Sequence, residues 1–518
     1  YKIKYNLMWY SENFKSRRLA MNQKPNIVMI ITDDQGHWGM GCSGNKDILT
    51  PNLDRLANEG IRFNEFFCAS PVCSAARGSI FTGKIPSQHG IHDWISKGHA
   101  SESDLSEKLQ SEFKNEERHW AYNWPKDQLQ GDVALNYLEG QTCFTQVLNK
   151  HGYTCGLSGK WHLGNSAIPQ AGFTYWKTLA MGGDNYYYPV VLENGKFVMK
   201  EKVYVTDYIT DNALTFLEEQ KGKEEPFYLS IHYTAPHAPW DKHQHPERFY
   251  DLYEDCQFTS IPFEPAHPWA GMKYGQDEQG KEQWRRWIQG YAAATTAMDE
   301  NVGRILEKLE QDGLMDNTLI IFTGDNGMSM GHHGIFGKGN GTFPLNLYDT
   351  AVKVPMIMRV PGATVSGKVE ETLLSHYDLF PTIMTYLGLE NEIPDHLPGS
   401  SFASVLEGSE GKVVDRDIVI FDEYGPNRMI RTKEWKYIHR YPYGPHELYD
   451  LKNDPDEKHN VVDEVSYQEV KAMMKQKLEA WYLEYVDPTR DGKGEAVTGN
   501  GQIGLCGSRA EGKPAFKA

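Results

Sequence analysis

Two apolar runs in this chain stop abruptly at acidic and amide side chains. Asn26-Ile27-Val28-Met29-Ile30-Ile31-Thr32 ends at Asp33-Asp34, and Thr318-Leu319-Ile320-Ile321-Phe322-Thr323 ends at Gly324-Asp325-Asn326. Their carboxylates and amide carbonyl are hard oxygen donors, a set that suits Ca²⁺, or Mg²⁺ in an octahedral shell, and does not suit zinc. Cationic and proton-handling side chains stand in three further stretches. These are Lys160 and His162 in Gly159-Lys160-Trp161-His162-Leu163-Gly164, His237 in Ala235-Pro236-His237-Ala238-Pro239, and Lys338 in Gly337-Lys338-Gly339-Asn340. A lysine can hold an anionic oxygen while a histidine handles a proton, and glycines let a backbone approach an anion closely. Between these stretches, Ser70-Pro71-Val72-Cys73-Ser74-Ala75-Ala76-Arg77-Gly78 sets a cysteine and an arginine four positions apart among small residues.

Such groups act together only if strands deliver them to one place. Short apolar runs alternating with helical patterns indicate βαβ units and a parallel sheet, whose ligands gather at the carboxyl ends of the strands. The strand candidates are residues 26–32, 153–158, 226–232, 318–323 and 354–360. Helices are expected from Thr50, with Thr50 as cap and Pro51 in the first turn, and over about 292–311, where Val302, Ile305, Leu306 and Leu309 make one stripe. Residues 95–140, with Trp120 and Trp124 among charges, read as an excursion from the sheet, either a wall of the cleft or a surface insertion. Beyond about 405 the pattern changes to alternating runs, Asp417-Ile418-Val419-Ile420-Phe421 and Trp435-Lys436-Tyr437-Ile438. An antiparallel sheet is expected there, with a helix over about 466–484 and a loose tail from about 487. The division expected is an extension at 1–24, a catalytic α/β domain at 25–404, and a subdomain with tail at 405–518.

A chain of 518 residues can bury a large core, and its net charge of −17 argues against general nucleic-acid binding while leaving anionic small substrates open. Seven scattered cysteines, an odd number with no CxxC pair, argue against a disulfide framework or zinc site. No apolar run is long enough to span a bilayer, and the first twenty residues lack the apolar stretch of a secretory signal, so no membrane contact and a cytoplasmic location are expected.

The segment Cys73-Ser74-Ala75-Ala76-Arg77, its extension Gly78-Ser79-Ile80-Phe81-Thr82-Gly83-Lys84 and the hexapeptide at 159–164 resemble the type I sulfatases of the alkaline phosphatase superfamily. The resemblance runs over about 25–490. It implies an alkaline-phosphatase-like α/β sandwich, a large mostly parallel sheet flanked by helices, with a small α+β subdomain. It also implies that Cys73 is oxidised to formylglycine by a maturation enzyme, and that Asp33, Asp34, Asp325, Asn326 and residue 73 hold a divalent cation. The roles implied for the remaining groups are sulfate binding by Arg77, Lys160 and Lys338, protonation of the leaving alcohol by His237, and removal of a proton by His162 so that sulfate is expelled. His232 has no counterpart in the pattern. The family's EGGxRVP segment is replaced by Tyr348-Asp349-Thr350-Ala351-Val352-Lys353-Val354-Pro355, a departure that separates this chain from the commonest members. The expected substrate is a sulfated small molecule or glycan, with His92, Asp93 and Trp94, and also Tyr186, Tyr187, Tyr188 and Trp240, as candidate contacts. The rivals are a phosphonate monoester or phosphodiester hydrolase on the same scaffold, and a binding protein that is never matured.

Overall fold

The computed structural model describes residues 24–114, 134–183, 185–362, 366–408 and 418–517. Trp120, Trp124 and almost all of the expected 1–24 extension lie outside them. The main sheet has strands β1 (Asn26–Thr32), β2 (Ile61–Phe63), β3 (Thr154–Gly159), β4 (Tyr175–Thr178), β5 (Phe227–His232), β6 (Thr318–Gly324), β7 (Met356–Arg359) and β8 (Lys368–Glu370). Across the sheet they lie in the order β8-β2-β7-β6-β1-β5-β3-β4. Only β7 runs against its neighbours; the other pairings are parallel.

A central strand buried on both faces needs apolar side chains in succession, which is why residues 27–31 are fully enclosed. Their directions still alternate. Ile27, Met29 and Ile31 pack with α2 (Cys73–Thr82) and α5 (Leu379–Leu387), whereas Val28 and Ile30 pack with α1 (Pro51–Glu59), α3 (Val205–Gln220) and α4 (Glu278–Gln311). The result is the expected α/β sandwich with helices on both faces.

Three local expectations are corrected. Thr50 precedes α1, but its side chain makes no cap bond; its hydroxyl accepts from the Gly41 amide instead. Helix α4 starts at Glu278, well before residue 292, capped by the Asp277 carboxylate at the Gly280 amide. Its first half packs Trp284, Ile288 and Tyr291 into a separate cluster, so its stripe is not continuous with the one at 302–309. The tail is not loose. Gln502 is fully buried, and residues 499–502 lie along residues 92–96.

The second sheet is antiparallel: β9 (Ile418–Phe421), β10 (Asn427–Thr432), β11 (Trp435–Arg440) and β12 (Glu447–Asp450), in that order. Met474, Leu478 and Tyr482 of α6 (Gln468–Tyr485) cover it. Ion pairs join it to the main body at the 348–355 segment. Asp349 takes Arg431 at 3.1 Å and Lys436 at 2.5 Å, and Arg431 also reaches Glu65 at 3.3 Å. Among the described residues no helix is long and apolar enough to cross a membrane.

Candidate active site

Strands β6, β1, β5 and β3 are adjacent and parallel, so their carboxyl ends open on one place. Asp325 and Asn326 follow β6, Asp33 and Asp34 follow β1, His237 lies on the loop after β5, and Lys160 follows β3. Helix α2 points its first residue, Cys73, into the same place, with Arg77 one turn further in.

Oxygen atoms of Asp33, Asp34 and Asp325 and the sulfur of Cys73 lie within 4.8 Å of one another, and all four residues are buried. Cations surround them. Lys160 Nζ is 2.5 Å from Asp33 Oδ2, and Arg77 Nε donates to Asp325 Oδ2 at 2.9 Å. Lys338 Nζ bonds Asp34 Oδ1 and lies 2.8 Å from Cys73 Sγ, which in turn is 3.3 Å from Asp33 Oδ1. His237 Nε2 is 3.5 Å from Asp34 Oδ2, and its side chain retains 28% exposure where Arg77 and Lys160 have none. His237 therefore lies on the open side of the pocket, where a departing group would be.

The charges shape one another. Burial alone would raise the Asp325 carboxyl, but Arg77, Lys160 and Lys338 hold it well below the usual carboxylate range. Burial likewise works against the charge on Asp34, and Lys338 and His237 overcome it, so that this carboxyl is lowered. Asp33 moves the other way, raised because burial outweighs Lys160. Burial, with Asp33 alongside, pushes the Cys73 thiol up to about 12. A thiol that stays protonated at neutral pH is a poor nucleophile, so the unmodified cysteine is badly suited to attack.

Further residues support the pocket, and the sequence carries only faint signals of them. Asp34 has a left-handed backbone, φ 59°, stabilised by Tyr291 of α4, whose hydroxyl accepts from the Gly36 amide and donates to the Asp34 carbonyl. Asn346 donates to the Lys338 carbonyl at 2.9 Å. His232 bonds Ser230 through Nε2 and donates from Nδ1 to the Lys160 carbonyl, which also accepts from Arg77 Nη1, a supporting place behind the pocket. Tyr186 donates to the His237 carbonyl and Trp240 to the Pro236 carbonyl, so both brace the His237 loop from behind and are buried there, not offered to a ligand. Tyr187 and Tyr188 remain partly exposed.

His162 is oriented differently from Lys160. Its φ is 57°, so it does not continue an extended segment with Lys160. The ring is buried, and Nε2 meets the Ile95 carbonyl at 2.9 Å. A carbonyl only accepts, so Nε2 carries the proton and Nδ1 is left as a lone pair, with no hydrogen-bond partner. Burial, assisted by Lys160, holds this ring well below its ordinary pKa. Space for it exists because residue 182 is glycine: a Cβ there would fall 2.1 Å from His162 Cε1. Replacing Gly182 with alanine is expected to displace the ring and lower kcat on the order of a hundredfold with little change in KM. Steady-state kinetics test this, and an unchanged kcat would show that the ring has no part in the chemistry.

The candidate contacts His92, Asp93 and Trp94 lie against the carboxy-terminal tail. His92 is fully buried with Nε2 on the Arg490 carbonyl, and both Asp93 oxygens accept backbone amides, from Trp94 and Gly501. Both are buried and bonded to the tail, through the Arg490 carbonyl and the Gly501 amide. Trp94 alone of the three is only partly buried.

Two orphan atoms test whether a cation and an anion fit. Asn326 Oδ1 is buried without a partner beside the carboxylates, and Arg77 Nη2 is buried without one as well. The first is an acceptor suited to a hard cation, the second a donor suited to an anionic oxygen. The residues fit both groups.

Comparison with known proteins agrees with this geometry. Residues 25–389 match the sulfatase family, and residues 331–483 match the carboxy-terminal region described as N-sulphoglucosamine sulphohydrolase, C-terminal. The N-acetylglucosamine-6-O-sulfatase of Bacteroides thetaiotaomicron is 29% identical over 94% of this chain and 91% of its own length. A solved structure of a protein in complex with its substrate D-glucosamine-2-N,6-O-disulfate has a TM-score of 0.72 and 26% identity, over 91% of this chain and 100% of that one. The phosphonate monoester hydrolase of Agrobacterium radiobacter shares the fold, with a TM-score of 0.64 and 20% identity over 90% of this chain and 96% of its own.

Proposed function

The chain belongs to the sulfatase family and is a sulfuric ester hydrolase, and on that premise we propose that it removes sulfate from a sulfated carbohydrate with a formylglycine at position 73 and one divalent cation, Ca²⁺ in preference to Mg²⁺. The observation that carries this reading is the pair of buried orphans, Asn326 Oδ1 and Arg77 Nη2, on residues bonded to the carboxylates of one ion-paired cluster, Asn326 to Asp34 and Arg77 to Asp325. Asp33, Asp34, Asp325 and Asn326 would hold the cation, whose contribution is to polarise oxygen and neutralise charge. A hydrated aldehyde at residue 73 supplies a nucleophilic oxygen that a thiol held at about 12 does not.

The side chains then divide the work. Arg77, Lys160 and Lys338 bind the sulfate oxygens and stabilise the charge that grows on them during transfer. Lys160 and Lys338 are each tied to a carboxylate, so their positions are set before substrate arrives. His237 fixes its Nδ1 proton on the Ala238 carbonyl at 2.7 Å, which aims Nε2 at the open side as the atom that donates to the leaving alcohol. His162, neutral and with a bare Nδ1, is equipped to take a proton at residue 73 and so allow sulfate to leave.

The carbohydrate preference is supported by the sugar sulfates named for two relatives. Matured protein is expected to release sulfate from N-acetylglucosamine 6-sulfate and glucosamine disulfates faster than from nitrophenyl sulfate. Turnover of a phosphonate monoester exceeding that of every sulfate ester would transfer the assignment to the rival chemistry. Mass spectrometry of the peptide holding residue 73 tests maturation, through the mass change from a thiol side chain to an aldehyde.

A further inference from the structure

Residues 90–96 form a strap with two working edges. The outer edge is bound by the tail. Gln502, fully buried, donates from its backbone to the Trp94 carbonyl at 2.7 Å and accepts from the Ser96 amide at 2.9 Å. Its side chain accepts from the His92 amide at 2.9 Å and donates to the Gly90 carbonyl at 3.0 Å. Gly501 and Gly499 add bonds to the Asp93 carboxylate and the Trp94 indole, each at 3.0 Å. Gly501 has φ 105°, and a Cβ there would meet Ser96 at 2.8 Å, so this approach requires glycine.

The inner edge meets the active site. The Ile95 amide donates to Ser74 Oγ at 3.0 Å, and Ser74 is the neighbour of Cys73 on α2. The Ile95 carbonyl accepts from His162 Nε2 at 2.9 Å and from His99 Nε2 at 3.0 Å. The two peptide units that flank Ile95 thus tether the first turn of the helix that carries Cys73, through the amide, and select the His162 tautomer, through the carbonyl.

We propose that the segment 487–517 is a positioning element of the active site, with Gln502 as its central residue, acting through the strap on His162 and on the start of α2. The inference rests on the sulfatase reading, in which His162 takes a proton. Gln502 touches neither substrate nor cation. It fills the outer hydrogen bonds of the strap, and without them the Ile95 carbonyl is free to turn away and His162 loses the partner that holds its proton on Nε2. The groups facing His162 are Lys160, Arg77 and His99. With the strap released and water admitted, the ring moves back towards its ordinary pKa, so the neutral form needed as a base is lost at higher pH than before.

The test compares matured wild-type protein with Gln502→Met, which keeps volume and removes the side-chain hydrogen bonds, and with Ser74→Ala, which cuts the inner tether and leaves the tail in place. Glu511→Gln, on the exposed outer part of the tail, is the control and is expected to behave as wild type. With a sulfated monosaccharide, both test variants are expected to lose kcat on the order of tenfold or more, with KM within about threefold. The acid limb of the kcat profile is expected to move to higher pH, a change that a merely structural role would not produce. Should Gln502→Met fail to fold, Gln502→Leu, which removes the same side-chain hydrogen bonds, is measured in its place. An unchanged kcat and acid limb in the folded variants would overturn the proposal and leave the sulfatase reading intact. Failure of matured wild-type protein to turn over any sulfate ester would instead overturn both.

Discussion

Cys73→Ala is expected to bring sulfate release down to background, a loss of at least roughly 10⁴-fold, while the protein stays folded. Residue 73 is buried at the start of α2 with its sulfur 2.8 Å from Lys338 Nζ and 3.3 Å from Asp33 Oδ1. Removing the sulfur leaves Lys338 paired with Asp34 and Lys160 paired with Asp33, so each buried charge keeps a partner. The stability cost is therefore expected to stay within about 2 kcal/mol, the ordinary range for a small side chain. Sulfate release measured beside a denaturant melt checks both halves. Cys73→Ser is the sharper companion. A serine hydroxyl can accept sulfate but cannot revert to an aldehyde, so a peptide carrying a stable sulfate ester at position 73 is expected by mass spectrometry. Full turnover by either variant would contradict the nucleophile assigned to this position.

Asp325→Ala is expected to remove both activity and a large part of the stability. The Arg77–Asp325 pair is fully enclosed, with Nε and Oδ2 2.9 Å apart. Losing the carboxylate leaves Arg77 with the Lys160 carbonyl but with an uncompensated buried charge, which costs about 3–5 kcal/mol. A lower denaturant midpoint at unchanged slope measures this. Because the Asp325 carboxyl is held well below its ordinary value, its contribution in metal-free protein is complete above about pH 4 and fades as pH falls towards the native-state value. The deficit of the variant should therefore shrink under acid conditions. Saturating Ca²⁺ is expected to stabilise the wild type, by about 2.7 kcal/mol at a hundred times the dissociation constant, and to leave Asp325→Ala unmoved. An undiminished Ca²⁺ response in the variant would place the cation elsewhere.

How far the sequence could be read depended on whether its signals were local. The run from Asn26 to Asp34 shows why the strands were legible. A strand buried on both faces is apolar without interruption, and the polar residues that follow mark its carboxyl end. The same holds for Thr318–Gly324 and Asp325. Helix α4 was only half legible, because Gly290 approaches the Trp240 carbonyl so closely that a Cβ would fall 1.9 Å away, and no helical stripe announces such a contact. The antiparallel sheet at 418–450 followed from alternation, whereas its ion pairs to Asp349 link residues about eighty positions apart and leave no pattern in either segment.

The groups proposed to carry the chemistry were legible in the sequence, the hard oxygens after two strands from residue type, and the roles of Lys160, His162, Cys73 and Arg77 from the resemblance of their motifs to the sulfatases. Those signals are local because each motif occupies one strand end or one turn of helix. Only the tertiary structure decided which of the named groups face the pocket. It turned His162 onto the Ile95 carbonyl, withdrew His92 and Asp93 into contact with the tail, and set Tyr186 and Trp240 behind His237. These outcomes depend on backbone amides and carbonyls, which every residue carries alike, and on glycines whose value lies in an absent side chain. Neither can be recognised until the chain has folded back upon itself.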